Sequence, residues 1–131
     1  MQNKKLVVFD LDATIVDSLK DIYQTTKKTC EHFKLPYISE EEISKYIGPA
    51  IEHLVKRCIQ NSNINVEEFR SYYRSYYRNH LLDNTRIFKG INELIIDLYN
   101  KKIDLAILTN KPEFSTKKIL KEVNLIQYFK M

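Results

Sequence analysis

The chain has 131 residues, 44% hydrophobic and 29% charged, which excludes a disordered chain and leaves room for one domain at most. Its net charge of +4 suits a small anionic substrate but does not by itself indicate nucleic-acid binding. No segment approaches the ~20 apolar residues of a membrane span, and the apolar run Leu6–Phe9 is too short for a signal peptide. We therefore expect a cytoplasmic protein with neither a nucleic acid nor a membrane as its partner.

The first predicted element is a strand that leads into a polar loop. Leu6–Phe9 is a continuous apolar run, which predicts a strand buried on both faces, as in a parallel sheet. The polar cluster Asp10–Thr14 follows this run directly. It predicts a loop at the carboxyl end of the strand.

A block of helices is predicted between this loop and residue 85, where no strand pattern occurs. Apolar residues at three- and four-residue spacing predict the first helix over 18–34, and Gly48 with Pro49 breaks the chain later in the block. Ser39 is predicted to cap the second helix, with the Glu42 side chain reaching back to the cap. The helices after the first are predicted over about 39–46, 51–58 and 65–82.

The last third of the chain predicts a helix, a second strand and another helix. Gly90 precedes an amphipathic helix, and the apolar run Ile103–Leu108 predicts a second buried strand. The polar cluster Thr109–Lys111 follows this strand, and Pro112 suits the first turn of the final helix. A strand joined to another through a helix on one side implies a parallel pair, so the fold class is α/β.

Both polar clusters follow the carboxyl ends of predicted parallel strands, where ligands bind in open parallel sheets. We therefore expect the clusters to lie close together. Two carboxylates at a spacing of two, Asp10 and Asp12, can bind Mg²⁺ beside a phosphate. Asp10 can attack phosphorus, Asp12 can exchange protons, and the Thr109 hydroxyl with loop amides can hold phosphate oxygens. The alternative is that the aspartates only form a turn and Thr109 only caps a helix.

The run Asp10–Ser18 (DLDATIVDS) resembles the DxDGT(L/V)xDS signature of phosphatases of the haloacid dehalogenase (HAD) superfamily. The TNKP stretch after the second predicted strand is similar to the family's second motif, and the helical block resembles an inserted cap. Asp17-Ser18 followed by Asp21-Ile22, together with TNKP, resembles the phosphoglycolate phosphatase branch in particular. The resemblance implies an incomplete Rossmann-like core of residues 1–16 and 86–131, with an all-helical cap of residues 17–85.

The same resemblance implies Mg²⁺-dependent hydrolysis of a small phosphorylated metabolite, such as phosphoglycolate, through an aspartyl-phosphate. Asp10 is the implied nucleophile, and its carboxylate binds Mg²⁺ together with the backbone carbonyl of Asp12. Asp12 is also the implied general acid and base. The implied phosphate-binding residues are Thr109, Asn110 and Lys111.

The chain departs from the family pattern in three respects. Ala13 stands where family members usually have Gly, and an alanine is tolerated there if its φ angle stays negative. The lysine of the third motif and the acidic metal ligands of the fourth are absent, and Lys111 is the only nearby candidate to replace the lysine. Of the family's sheet, in the order 5-4-1-2-3, only strands 1 and 2 are present.

These absences predict a truncated or split phosphatase with little or no activity of its own. Two strands rarely stand alone, and unpaired strand edges favour pairing with other chains. We therefore expect self-association or a completing polypeptide at the exposed sheet edges. The alternative function is that of a non-catalytic remnant that binds a partner through those edges.

Three further features each have two interpretations. The tandem repeat Ser71–Arg78 (SYYRSYYR) is expected to be a cap helix with tyrosines packed inward and arginines in solvent, rather than a surface for single-stranded nucleic acid. Cys30 and Cys58 are expected to be buried reduced thiols rather than a disulfide. Gly48 lies where the cap's substrate-specificity loop is expected, or it only breaks a helix.

Overall fold

The computed structural model describes residues 5–130, so the outermost limits of the predicted core, 1 and 131, lie outside the described residues. The fold is the expected α/β arrangement of strands and helices. The strands are β1 (Leu6–Phe9), β2 (Val16–Asp17), β3 (Arg86–Ile87) and β4 (Asp104–Ile107). The helices are α1 (Leu19–His32), α2 (Glu40–Ser44), α3 (Ile51–Ile59), α4 (Val66–His80), α5 (Ile91–Asn100) and α6 (Glu113–Glu122). Within residues 5–130, no helix is long and apolar enough to cross a membrane.

The pairing of β1 with β4 is parallel, as the sequence predicted, with Phe9 opposite Ile107. The ladder continues beyond the strands, because the Leu108 N–H donates to the Phe9 carbonyl at 2.9 Å. Neighbouring strands lie about 4.8 Å apart. The two loops that follow β1 and β4 therefore leave the sheet side by side at the same edge.

Strand β1 is less buried than predicted. Leu6 and Val8 are 61% and 50% exposed, whereas Phe9 is buried and meets the Phe129 ring edge to face at 6.1 Å. Successive side chains of a strand point to opposite faces of the sheet. The predicted burial on both faces is wrong for β1, because nothing in residues 5–130 covers the face that carries Leu6 and Val8.

The helices α1–α4, hereafter the cap, share an aromatic cluster in which the Phe33 ring stacks on Phe69 at 5.7 Å. The strands β1 and β4 with α5 and α6 are hereafter the core. Ser39 caps α2 as predicted, since its hydroxyl accepts a hydrogen bond from the Glu42 N–H at 3.1 Å. The Glu42 side chain does not reach back to the cap. Its carboxylate instead binds the Arg57 guanidinium through two hydrogen bonds, because a bidentate ion pair is stronger than a single bond to a backbone amide.

Buried thiols are confirmed within this block. Cys30 and Cys58 are both free and almost fully buried. A hydrogen bond from Cys58 lowers the pKa of the Cys30 thiol, while the same bond and burial raise the pKa of Cys58.

A short antiparallel ribbon joins the segment before α1 to the segment after α4, and it was not predicted. It pairs β2 with β3, with Val16 opposite Ile87 and Asp17 opposite Arg86. Two residues are too few for the alternating pattern by which a strand is recognised in a sequence. The predicted domain limit at 16/17 falls inside β2 and the limit at 85/86 falls directly before β3, and the division into two domains stays a prediction.

A buried carboxylate ties the two ends of the block together beside this ribbon. Asp21, in the first turn of α1, is only 1% exposed. Its carboxylate accepts hydrogen bonds from the Asn84 backbone and side-chain amides, at 2.9 and 3.0 Å, and from the Thr85 hydroxyl at 2.7 Å. The residues that precede β3 are therefore held against the start of α1 by one side chain.

Replacing Asp21 by asparagine should lower the free energy of unfolding by about 2 kcal/mol, because hydrogen bonds to a charged acceptor are lost and an amide N–H₂ meets buried donors. The measurement is urea denaturation followed by circular dichroism. Asp17→Asn, an exposed acid on the adjacent strand, is the matched control and should leave the midpoint unchanged. Equal stability of both variants would contradict an anchoring role for Asp21.

Candidate functional site

The loop after β1 is held in shape by buried apolar side chains and by its own hydrogen bonds. Leu11, Ile15 and Val16 have no exposed surface. The Ile15 N–H donates to the Leu11 carbonyl and the Ala13 N–H to the Val16 carbonyl, both at 2.9 Å. Apolar side chains thus anchor the loop while Asp10 and Asp12 stay partly accessible.

Ala13 adopts a φ angle of +64°, so the condition under which an alanine is tolerated here without strain, a negative φ, is not met. The loop's hydrogen bonds require a left-handed residue at this position, where glycine is free of the steric penalty that a Cβ brings. Ala13 therefore adopts a conformation that a glycine, the usual residue at this position of the family signature, reaches without a steric penalty.

Replacing Ala13 by glycine should raise the free energy of unfolding by about 0.5–1 kcal/mol. Relief of left-handed strain, about 1–2 kcal/mol, outweighs the greater freedom of the unfolded glycine chain, about 0.4–1 kcal/mol. Ala106→Gly is the control, since Ala106 lies in the regular strand β4 and its replacement should destabilise the protein. Thermal denaturation of the two variants measures the sign of each change in stability, and destabilisation by Ala13→Gly would contradict the claim that the loop is strained at this residue.

The two polar clusters meet through an ion pair. Lys111 Nζ lies 3.0 Å from Asp12 Oδ2, and the two side chains are 4% and 11% exposed. The other Asp12 oxygen accepts a hydrogen bond from the Ser18 hydroxyl at 2.6 Å. The expectation that the two loops converge is therefore confirmed. Sequence reasoning did not assign the Ser18 contact, although Ser18 belongs to the recognised run.

Lys111 also joins the core loop to the cap helix α4. Its Nζ donates to the Tyr77 hydroxyl at 2.7 Å and lies 4.5 Å from the centre of the Tyr77 ring. Burial, and after it the charge of Asp12, raises the pKa of Tyr77 well above its usual range, so the phenol keeps its proton. Sequence reasoning gave Tyr77 no role at the site. Its only signal was its place in the tyrosine–arginine repeat.

The remaining predicted site residues occupy three different settings. The Asp10 Oδ1 accepts the Leu11 N–H at 2.6 Å, and Asp10 is half-buried. The Thr109 hydroxyl oxygen accepts the Lys111 N–H at 3.2 Å, which leaves its own proton able to donate. Asn110 instead faces the cap, because its side-chain amide donates to the Gly48 carbonyl at 2.7 Å. No contact in residues 5–130 tests the phosphate-binding roles given to Thr109, Asn110 and Lys111.

Gly48 combines the two interpretations that the sequence left open. It lies between α2 and α3 with a φ angle of +106°, which favours glycine and interrupts the helices. Its carbonyl receives the Asn110 amide, and it lines the cavity between the cap and the core. The turn thus has both a structural role and a position at the cavity.

A cavity of about 370 Å³ lies between the cap and the core, a volume within the usual range of ligand pockets. Asp12, Thr109 and Lys111 line it from the core side, and Gly48 and Tyr77 line it from the cap side. Asp10 is not among the lining residues. The cavity therefore opens beside the Asp12–Lys111 pair.

The oxygen donors at this edge fit a partial magnesium site. No group of three or more His, Cys, Asp or Glu side chains clusters for a metal within residues 5–130. The Asp12 carboxylate is engaged by Ser18 and Lys111, which leaves the Asp10 carboxylate and the Asp12 backbone carbonyl. Mg²⁺ commonly takes one or two protein oxygens and completes its shell with phosphate and water, so these two donors fit it.

Relatives with known names match along nearly the whole chain. A phosphoglycolate phosphatase of Aquifex aeolicus is 32% identical over 129 residues, which are 95% of this chain and 58% of the relative. One from Chromobacterium violaceum is 29% identical and is matched over 100% of this chain and 62% of its own length. The chain therefore spans about three fifths of the curated relatives that it matches.

Solved structures agree with the fold. A crystal structure described as a predicted phosphoglycolate phosphatase of Haemophilus somnus matches 98% of this chain and 61% of its own, with a TM-score of 0.87 and 28% identity. A predicted phosphatase from Clostridium acetobutylicum matches 98% of this chain and 59% of its own, with a TM-score of 0.83 and 26% identity.

The family model for haloacid dehalogenase-like hydrolases matches residues 7–131, from the strand before Asp10 to the last residue. This span contains both loops that converge on the Asp12–Lys111 pair and the helices inserted between them. The chain thus belongs to the haloacid dehalogenase-like hydrolase family.

Proposed function

We propose that this chain carries part of the active site of a Mg²⁺-dependent phosphatase that acts on a small phosphomonoester of the phosphoglycolate type. The observation that carries the proposal is the contact of Asp12 with Lys111 at 3.0 Å, beside a cavity that also exposes Thr109. Relatives that bear the name phosphoglycolate phosphatase support this substrate class. A cytoplasmic location stays a prediction.

In the proposed reaction, an Asp10 carboxylate oxygen attacks phosphorus while the ester P–O bond breaks. Asp12 enters this step protonated and gives its proton to the departing alcohol oxygen, and Ser18 with Lys111 holds the carboxylate that results. Water then attacks the phosphorus of the aspartyl-phosphate, and Asp12 takes a proton from it. The products are the alcohol and inorganic phosphate, with both aspartates restored.

Two groups assist these steps at the phosphate. The Thr109 hydroxyl donates a hydrogen bond to a phosphate oxygen, since its proton is not used within the loop. Lys111 supplies positive charge beside the leaving group and, among residues 5–130, is the candidate for the role of the family's third-motif lysine. When Mg²⁺ is bound by the Asp10 carboxylate and the Asp12 carbonyl, it supplies neutralisation of the charge on the phosphate oxygens.

The test is release of inorganic phosphate from 2-phosphoglycolate by two proteins. One is the chain alone, and the other is the chain fused to the part of the Aquifex relative that it does not cover. We expect Mg²⁺-dependent release from the fusion, abolished by EDTA, and little or none from the chain alone. A folded fusion that releases no phosphate, or a rate that EDTA leaves unchanged, would overturn the proposal.

A second candidate function is partner binding through the open sheet, the alternative to catalysis by this chain. Leu6 and Val8 expose a hydrophobic face of β1. The outer edge of the other strand, β4, already receives a backbone contact, because the Lys130 N–H donates to the Leu105 carbonyl at 2.8 Å. We propose that further polypeptide, in the same protein or in a second one, covers the Leu6 and Val8 face.

Light scattering after size-exclusion chromatography tests this second proposal. The chain alone should self-associate, and the double variant Leu6→Lys, Val8→Lys should be monomeric because charged side chains prevent packing on that face. Tyr37→Lys, which alters an exposed residue of the cap, is the control and should keep the self-association. A monomeric unmodified chain that also fails to bind the uncovered part of the Aquifex relative would refute it.

A further inference from the structure

The arginines of the tyrosine–arginine repeat line the cavity beside the site. Tyr73 and Tyr77 are buried, so the expected inward packing holds for them, and both residues also line the cavity. Arginines at positions 70, 74 and 78 share one face of α4, because a spacing of four returns to the same side of a helix. All three line the cavity: Arg70, Arg74 and Arg78.

The three arginines differ in whether their charge is already paired. Arg70 forms ion pairs with Glu52 and Glu67, each at 3.1 Å. Within residues 5–130, neither the Arg74 nor the Arg78 guanidinium forms an ion pair with a carboxylate. The wall that α4 contributes therefore carries two positive charges without partners.

Within residues 5–130, the core side of the cavity supplies no carboxylate that pairs with Arg74 or Arg78. Asp12 is the acid exposed there, and its carboxylate is paired with Lys111. The Arg78 guanidinium lies over the Phe114 ring at 4.8 Å, which restricts its motion without neutralising it. A ligand that enters this cavity thus meets the Asp12–Lys111 pair at the core end. On the cap side it meets the Arg70–Glu52 pair and the two arginines without a carboxylate partner.

We propose that Arg74 and Arg78 bind a second anionic group on the substrate, at the end remote from the phosphate that is transferred. The inference rests on the proposed function, and it restricts the substrate class to phosphomonoesters that bear a carboxylate or a second phosphate. Guanidinium groups suit both anions, because their planar fork donates two parallel hydrogen bonds to either.

Three probes of similar size separate the possible sources of this anion. 2-Phosphoglycolate carries a carboxylate, ethylene glycol bisphosphate carries a second phosphate, and ethyl phosphate carries neither. Titration calorimetry of each with the full chain measures binding without any turnover. We expect at least one of the first two to bind about tenfold tighter than ethyl phosphate, the size of one charge-assisted contact. The tighter of the two identifies the anion.

The double variant Arg74→Gln, Arg78→Gln should remove this preference and leave ethyl phosphate binding as it was. Both arginines are exposed, so the variant should fold, which circular dichroism checks. Arg86→Gln, an exposed arginine outside the cavity, is the matched control and should keep the preference. A preference that persists in the double variant, or equal or undetectable binding of all three probes to the unmodified chain, overturns the assignment.

The fusion used for the phosphatase assay separates this inference from the proposed function. Equal hydrolysis of ethyl phosphate and of both probes with a second anionic group refutes the arginine assignment while the phosphatase proposal stands. An arginine-dependent binding preference without hydrolysis of any probe supports the assignment while the phosphatase proposal fails.

Discussion

Replacing Lys111 by methionine should lower the free energy of unfolding by about 3 kcal/mol, as expected when one partner of a buried ion pair is removed. Methionine keeps much of the length of the side chain, so the loss is electrostatic. The Asp12 carboxylate, 11% exposed, would be left without its cation, and the Tyr77 hydroxyl would lose its donor. Urea denaturation at neutral pH measures the change.

A double-mutant cycle separates the ion pair from other effects of the substitution. Asp12→Asn alone leaves the buried ammonium group of Lys111 without its partner, whereas the double variant Asp12→Asn, Lys111→Met leaves no unpaired charge. The double variant should therefore lose less stability than the sum of the two single variants, by about 1.5 kcal/mol or more. Lys117→Met removes an exposed lysine paired with Glu113 on α6 and is the control, for which we expect no resolved change.

Additive losses in this cycle would mean that the loops after β1 and β4 do not meet in solution. The proposed site would then lose its basis, because Asp12 and Thr109 would no longer act on one phosphate. A large coupling would instead establish the convergence independently of any catalytic activity. The cycle thus tests the geometry of the site even if this chain has no activity alone.

The elements that local pattern encodes were predictable from the sequence. Apolar runs marked β1 and β4, spacing of three and four marked the helices, and Ser39 marked the start of α2. The convergence of Asp12 with Lys111 was also predictable, although it joins distant positions. It follows from the rule that ligand-binding loops gather at the carboxyl ends of parallel strands.

The features that were missed depend on three-dimensional neighbours. The carboxylate of Asp21 finds Asn84 and Thr85 only after the whole block has folded. The pattern offered the Glu42 side chain a local partner at the start of its own helix, but its carboxylate binds Arg57 of another helix instead. The exposure of Leu6 reflects which surfaces the chain covers, and an apolar run carries no information about that.

The φ angle at Ala13 shows a different limit of prediction from the sequence. Residue type predicts a negative φ for alanine, since the left-handed region costs about 1–2 kcal/mol. The closed loop from Leu11 to Val16, with its buried side chains and internal hydrogen bonds, imposes the opposite sign. Resemblance to a glycine-containing signature was therefore a better guide to the backbone than the intrinsic preference of the residue.

Asp10→Asn should reduce phosphate release by the fusion protein at least about 10³-fold, the scale of losing a catalytic nucleophile. An amide is a poor nucleophile, so the aspartyl-phosphate cannot form, and it also weakens the metal site by removing a charge. Initial rates with 2-phosphoglycolate in saturating Mg²⁺ measure the effect. Asp17→Asn, an exposed acid a few residues along the same segment, is the control and should keep most of the activity.

Stability distinguishes this role for Asp10 from a structural one. Asp10 is half-buried and accepts a hydrogen bond from the amide of its neighbour Leu11. The free energy of unfolding of Asp10→Asn should therefore lie within about 1 kcal/mol of that of the unmodified protein. Lys111→Met, in contrast, should lose both stability and activity. An Asp10→Asn protein that unfolds normally and still releases phosphate at the original rate would show that another group attacks phosphorus. Loss of activity with intact stability is the result that an attacking carboxylate requires.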